Sequence, residues 1–349
     1  MYMSKFHWSL TDDLHHFALG KSGAQLEVWN GQEALRLIGF HTDLVLLLEE
    51  IHFDSFRIQA EVGAPGPNGF IGLAFGTRDV KNYELVYISP TEDPAVKNIQ
   101  YDPIMNGSST WQIYNGPAYQ AFAPFPVGQW TKFALEVQPH SVAVYVGDEA
   151  ATPQLVVSSI QHGRSNSRVG FWGNMPGYIR NFSVDEIAPH PAAETTTDFR
   201  KLAADSFVTH WQVSEPFMPN EQEEYRGGWK EVAVEENGCL NVNRLYSAGN
   251  KGSAVLAKCT FALEEATDSV ISFGFSDRLR MWVNDREVYQ GLTKWDPPHS
   301  DGRIRPDHEQ IPIRWNAGEN TILAEITNLE GMFGWGLAVK TGLTNLRLI

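Results

Sequence analysis

The chain is poor in the residues and patterns that mark most functional classes. It has 349 residues but only two cysteines, Cys239 and Cys259. No Cys-x-x-Cys or Cys/His spacing accompanies them, so neither a zinc site nor a dithiol redox centre is expected. Both fall in strand-like runs, where a cross-strand bridge and two buried thiols are alternatives; buried thiols suit a reducing compartment. No run approaches the roughly 18 apolar residues of a spanning helix, and the N-terminal residues MYMSKFHWSLTDDLHHF contain no apolar leader core. Read as it stands, the chain is expected in the cytoplasm without a membrane partner. It would be expected outside the cell or in the periplasm if a leader had been removed.

Positive charge is also scarce. Lys and Arg number 27 against 42 Asp and Glu, a net charge of −15, and no basic cluster occurs. Nucleic acid and anionic membranes are excluded as expected partners, because phosphate binding needs clustered cations. A neutral ligand fits that balance. No glycine-rich loop opens a helix, which removes the phosphate-cradle motifs, and no Gly-x-Ser-x-Gly elbow is present. Before residue 188 no stretch has a persuasive helical apolar period.

Strand signals are abundant instead. Phe56–Val62 alternates cleanly, with Phe56, Ile58, Ala60 and Val62 on one face. Ala64–Gly69 is turn chemistry. In Phe70–Gly76, Ile71, Leu73 and Phe75 share one face while Gly72, Ala74 and Gly76 leave the other nearly bare, as a sheet does where a ligand approaches its backbone. Tyr83–Ser89, Trp130–Val137, Val142–Val146, Val169–Trp172 and Tyr178–Val184 continue the series. After the proline-bearing Pro189–Thr197 the pattern begins again, with strands at Gly238–Val242, Ala254–Leu263, Ser269–Phe275, Glu309–Ile313, Asn320–Thr327 and Gly334–Val339. Met281–Gly291 reads as a hairpin turning at Asn284-Asp285. The expectation is an all-β chain of two tandem β-sandwich (jelly-roll) domains: 1–188, a linker 189–197, and 198–349.

Chemistry concentrates in Ile99–Tyr114 (IQYDPIMNGSSTWQIY), read as two strand-like runs around an Asn-Gly-Ser-Ser turn. Rings beside amides and a carboxylate suit sugars, since rings cover C–H faces and amides pair with hydroxyls. Tyr87, Gln100, Asn106, Trp111, Gln112, Tyr114 and Trp172 are the candidate ligand-binding residues. Glu84 and Asp102 are the candidate catalytic carboxylates, because glycan cleavage uses a pair. Asp296, Asp301 and Asp307 lie in the Lys294–His308 loop as candidate metal ligands, and calcium is the ion that such oxygen donors suit.

The segments Phe56–Val62, Gly69–Phe75, Asn82–Ser89, Ile99–Asp102, Asn106–Tyr114, Gly128–Val137 and Val142–Val146 together resemble the concanavalin A-like lectin/glucanase jelly rolls, laminin-G-like and family-16-like, of bacterial sugar-active proteins. The ExDxxE-type strand of the glucanases is absent; Tyr83-Glu84-Leu85 is similar to a strand of the 3-keto-disaccharide hydrolase-like branch, where that Glu faces the sugar. Phe273–Asp277, Met281–Asn284, Val288–Gly291, Ala317–Asn320 and Gly334–Gly336 resemble galactose-binding-like jelly rolls appended to glycoside hydrolases, with Asp285 where the hairpin usually has Gly. The resemblance implies recognition of a neutral or weakly charged oligosaccharide or polysaccharide in the concave sheet of the first domain, and it makes a structural calcium conceivable. The alternatives are a glycan-cleaving enzyme using Glu84 or Asp102, and a scaffold or homo-oligomer with the aromatic stretch as its interface core.

Overall fold

The structure, a computed structural model, describes residues 5–38, 44–148, 151–162, 168–190, 197–219, 228–344 and 347–348. Most of the linker segment 189–197 lies outside these residues. The described chain is nearly all antiparallel strand, as expected, and divides into two compact units. The first contains Met1–Ile104 and Asn115–Thr195; the second contains Met105–Tyr114 and Thr196–Ile349. Ten residues of the chemistry-rich stretch therefore belong with the later part of the chain. No helix is long and apolar enough to cross a membrane.

The first unit is a pair of sheets. One runs, in spatial order, Leu155–Val157, Val142–Val146, Trp130–Val137, Phe56–Gly63, Gly177–Glu186, Gln32–Leu37 and Gln25–Trp29, with Lys5–Trp8 also on Gly177–Glu186. The other runs Gln120–Ala121, Ile99–Tyr101, Asn82–Ile88, Phe70–Asp79, Arg168–Asn174, Val45–Leu47 and Phe17–Ala18. Period-two alternation sets which side chains meet. Phe56, Ile58, Ala60 and Val62 are all buried, as the sequence predicts. Ile71, Leu73 and Phe75 are likewise buried.

In the second unit the 17-residue strand Thr267–Val283 organises two layers. Its first half pairs with Glu309–Trp315 and Gly336–Lys340, its second half with Gly318–Thr327 and Arg286–Thr293. The change falls at Ser276-Asp277, whose peptide bond is cis. Phe273, Phe275, Leu279 and Met281 from this strand join Trp211, Trp315 and Trp335 in one core. The predicted hairpin is present: Val283 pairs with Arg286 across Asn284 (φ 48°) and Asp285 (φ 63°), the two left-handed residues of a type I′ connection. Cys239 and Cys259 are buried free thiols, and burial pushes that of Cys259 up to about 12.

Candidate functional site

Cross-strand register in the first unit builds one row. Gln100 faces Tyr87, Tyr87 faces Gly72, and Gly72 faces Trp172. These residues share the face turned away from the opposing sheet, because Ile71, Leu73, Val86 and Ile88 occupy the other. The Tyr87 and Trp172 rings flank Gly72 and meet at 5.9 Å between centroids, tilted by 38°. Phe70 stands edge-on to Tyr87 at 5.2 Å, with Asn174 directly opposite Phe70 in register. Phe70, Tyr87 and Trp172 remain half-buried, whereas Tyr83, Leu85, Leu44 and Leu46 on the same face are buried. The open part of the face is thus an aromatic strip with the half-buried Asn174 at one end.

Two sequence expectations change here. The glycines do not leave an empty track, because a Cβ on Gly72 would lie 2.6 Å from Leu85 Cδ1 and one on Gly170 would lie 2.0 Å from the Val45 carbonyl oxygen. Their bareness lets neighbouring groups close in. Gln100 is 2% exposed, and its Nε2 donates to the Tyr101 carbonyl at 2.5 Å, so its amide is spent on the backbone.

Glu84 points to the opposite side of the same strand and is fully buried. Its Oε2 accepts from Tyr101 Oη at 2.6 Å, and its Oε1 accepts from the His162 backbone N–H at 2.5 Å. Tyr101 Oη in turn accepts from the Gln161 N–H at 3.1 Å. His162 Nε2 lies 2.7 Å from the Ile104 carbonyl oxygen, which fixes that nitrogen as the protonated one. A carboxylate fed by neutral donors in the core holds strands together. Asp102 is 2% exposed, with its backbone N–H bound to the Leu85 carbonyl.

The other candidates fall in the second unit. Asn106 (φ 50°) and Gly107 (φ 84°) make the turn that the sequence predicts, closed by mutual hydrogen bonds between Met105 and Ser108. Asn106 Nδ2 donates to the carbonyls of Asn243 and Arg244, at 2.8 and 3.1 Å. The following residues are not a strand. The N–H groups of Ile113 and Tyr114 both return to the Thr110 carbonyl, which winds Thr110–Tyr114 into a helical turn. Tyr114 is completely buried, its hydroxyl accepting from Arg244 Nη2 at 3.4 Å. Trp111 is half-buried under the Arg303 guanidinium, 4.7 Å from the ring centroid, and edge-on to Phe333 at 5.5 Å. Arg303 Nη1 also donates to the Trp111 carbonyl.

Gln112 is fully buried and joins a cluster that has no local sequence signature. Its Nε2 donates to Glu330 Oε2 at 2.8 Å, and its Oε1 accepts from Ser276 Oγ at 3.1 Å. Asp277, 2% exposed, accepts the N–H groups of Leu329 and Glu330 on Oδ2, at 2.5 and 2.7 Å, and lies 2.8 Å from Ser276 Oγ through Oδ1. Glu330 also accepts the Trp295 N–H at 3.2 Å. Burial and a hydrogen bond to Asp277 push the Glu330 carboxyl up to about 7, partly opposed by the Gln112 amide.

The loop aspartates do not converge. Asp301 is gripped by the Arg305 guanidinium and by the Arg303 N–H, and the Arg305 hydrogen bond holds its carboxyl below the usual range. Asp307 pairs with Lys340 at 3.2 Å, and Asp296 lies 4.0 Å from His299 Nδ1. Among the described residues no group of three or more His, Cys, Asp or Glu side chains is arranged to hold a metal ion. The protein's own cations meet two of the three aspartates proposed for calcium, Arg303 and Arg305 at Asp301 and Lys340 at Asp307.

No family model matches the sequence, and no curated protein matches it. Among solved structures the chain is similar to the carbohydrate-binding module CBM66 from Bacillus subtilis, 12% identical, covering 49% of this chain and 92% of that one at a TM-score of 0.33. It is similar to domain 4 of AbnA, a GH43 extracellular arabinanase from Geobacillus stearothermophilus in complex with arabinotriose, 16% identical over 53% of this chain and 93% of that one, TM-score 0.36. A Bacillus subtilis protein of unknown function with a galectin-like fold is 12% identical over 54% of this chain and 100% of that one, TM-score 0.37.

Proposed function

We propose that the chain recognises a neutral or weakly charged oligosaccharide or polysaccharide on the outer face of the first unit's Asn82–Ile88 sheet. The observation that carries this reading is the row in which Tyr87 and Trp172 flank Gly72, with Phe70 edge-on to Tyr87. Two tilted, half-buried rings form a continuous aromatic surface, able to cover axial C–H groups of a sugar while leaving its hydroxyls to water and amides. Asn174 stands at the end of that strip. A net charge of −15 repels polyanions and leaves neutral chains as the matching class.

Cleavage is not favoured by the positions of the carboxylates. Glu84 and Asp102 are buried, and Glu84 is on the other side of the sheet from the aromatic row. The test is a panel of immobilised neutral polysaccharides and their oligosaccharides, probed with wild type and with Trp172→Ala. Retention of the wild type on at least one, lost in the variant with folding intact, is the expected result. Equal retention of both proteins, or none by the wild type, would reject the aromatic row as a sugar site.

A further inference from the structure

Each sheet of the first unit ends on a short strand: Gln120–Ala121 in one, Leu155–Val157 in the other. At that rim lies a cavity of about 490 Å³, lined chiefly by Lys97, Gly116, Pro117, Gln120, Phe122 and Gln154. Sites for small molecules span roughly 300–1,000 Å³, so this one has room for a monosaccharide. Gly116 (φ 87°) turns the chain at its wall, and a Cβ added there would meet nothing within 4 Å. The cavity is separate from the aromatic row. Gln120 lies opposite Gln100 in register, two strands beyond Tyr87, and the buried Gln100 stands between them.

The polar side chains of the lining are unequally committed. Gln154 is spent on the backbone: its Oε1 accepts the Val146 N–H at 2.9 Å and its Nε2 donates to the Val146 carbonyl at 3.3 Å. Gln120 Oε1 accepts the Gly116 N–H at 2.9 Å, and its Nε2 has no partner among the described residues. Lys97 is exposed, and among the described residues its ammonium has no ion pair. The side-chain groups left over are thus an ammonium and an amide N–H₂, both donors, beside the half-buried Phe122 ring. No carboxylate lines the cavity, although the chain carries a net charge of −15; Glu92 and Asp93, on the same loop as Lys97, are outside the lining.

We propose that this cavity is a second ligand site, which takes one carboxylate-bearing sugar unit, a uronic acid. The choice of a sugar rests on the carbohydrate reading above; the choice of an acid rests on the cavity alone. The Lys97 ammonium pairs with the carboxylate, the Gln120 amide donates to a hydroxyl or the ring oxygen, and Phe122 covers a C–H face. A single cation matches a single carboxylate, whereas phosphate and sulfate call for guanidinium forks or clustered cations. One acidic unit is also what an acidic protein tolerates where it would repel a polyanion.

The test is calorimetric titration of the full chain with sodium glucuronate and, at matched ionic strength, with glucose and with sodium acetate. Glucuronate should bind about tenfold more tightly than either, the scale of one charge-assisted hydrogen bond, and added salt should weaken it. Lys97→Met, a change at an exposed position that keeps the apolar stem, should lose about that tenfold. Absence of saturable glucuronate binding overturns the site. Glucose matching glucuronate, or Lys97→Met matching wild type, overturns the acid assignment, and acetate matching glucuronate overturns the sugar assignment. None of these outcomes depends on Trp172 or on a neutral polysaccharide, so the cavity and the aromatic row fail separately.

Discussion

The first unit carries two aromatic clusters built on the same plan, one on the outer face of each sheet, and they end differently. On the Phe56–Gly63 sheet, Trp29 stacks on Tyr178 at 4.8 Å and 9°, with Trp130 edge-on at 4.8 Å. Its indole lies directly over Gly63, where a Cβ would come 2.2 Å from a ring carbon. Arg180 covers Trp130 at 4.7 Å and is itself tied to Glu61 by a 2.7 Å hydrogen bond. The rings there spend their faces on one another and on a cation. On the other sheet, Tyr87 and Trp172 stand on either side of Gly72 and tilt together, without a third ring lying over the glycine. The space over a glycine between two aromatic strands can be taken by an aromatic ring, as at Gly63, or by an aliphatic side chain, as Leu85 does at Gly72, with Tyr87 and Trp172 left half-buried beside it. The first arrangement is a packing device, and the second is available to a ligand.

The largest effect should come from breaking the closed cluster. Trp29→Ala is expected to cost about 3 kcal/mol, the usual scale for removing a packed aromatic ring, read from the shift in denaturation midpoint. Gly63→Ala should cost a similar amount by driving the same rigid indole off the sheet, and the double variant should cost little more than either single change. Additive losses would show that the ring and the glycine are not one packing unit. Gly72→Ala should be the milder change, since the nearest atom to its new Cβ is the movable end of Leu85, with the Val86 carbonyl oxygen next at 3.1 Å.

The carboxylates divide in the same way, and the next two effects follow from that. Glu84 is surrounded by fixed neutral donors, so Glu84→Gln, which replaces an acceptor by a donor facing the Tyr101 hydroxyl or the His162 N–H, should cost about 2 kcal/mol. Denaturation of that variant with an unchanged midpoint would contradict the role given to the buried carboxylate. Glu330 contributes a pH dependence instead. Its folded-state value, about 7, is above the ordinary 4.5, so the folded protein holds the proton more tightly than the unfolded chain. Stability from this group is complete below pH 4.5 and falls as pH rises toward 7. After allowance for partial solvent screening the loss is on the order of 1–2 kcal/mol. Unfolding free energies measured between pH 4.5 and 8 should lose that component in Glu330→Gln, and a variant as pH-dependent as wild type would contradict it.

The smallest effect on stability is expected where the ligand role is placed. Trp172 is only half-buried, so Trp172→Ala should cost less than about 1 kcal/mol by the same denaturation measurement.

The sequence made the strand alternation of Phe56–Gly63, the Asn106-Gly107 turn and the Asn284-Asp285 hairpin readable, because each depends on neighbours within a few residues. It also showed the glycine face of Phe70–Gly76, though not that Leu85 and the Val45 carbonyl would fill the space. Phe70 was within reach of the same parity, sharing its face with Gly72. The Gln112 cluster was not readable. Its partners Ser276 and Glu330 are 164 and 218 residues away, and no local period connects them. Trp111–Tyr114 looked like a strand because aromatic and β-branched residues favour one. Capture of two N–H groups by the Thr110 carbonyl overrode that preference.

The decisive measurement is binding of the polysaccharide panel by wild type, Trp172→Ala and Trp29→Ala side by side, at a temperature where all three are folded. Trp172→Ala should lose at least tenfold in affinity while remaining nearly as stable as wild type, and Trp29→Ala should bind normally despite its lower stability. Loss of binding in Trp29→Ala with retention in Trp172→Ala would place the sugar on the wrong sheet and contradict the assignment.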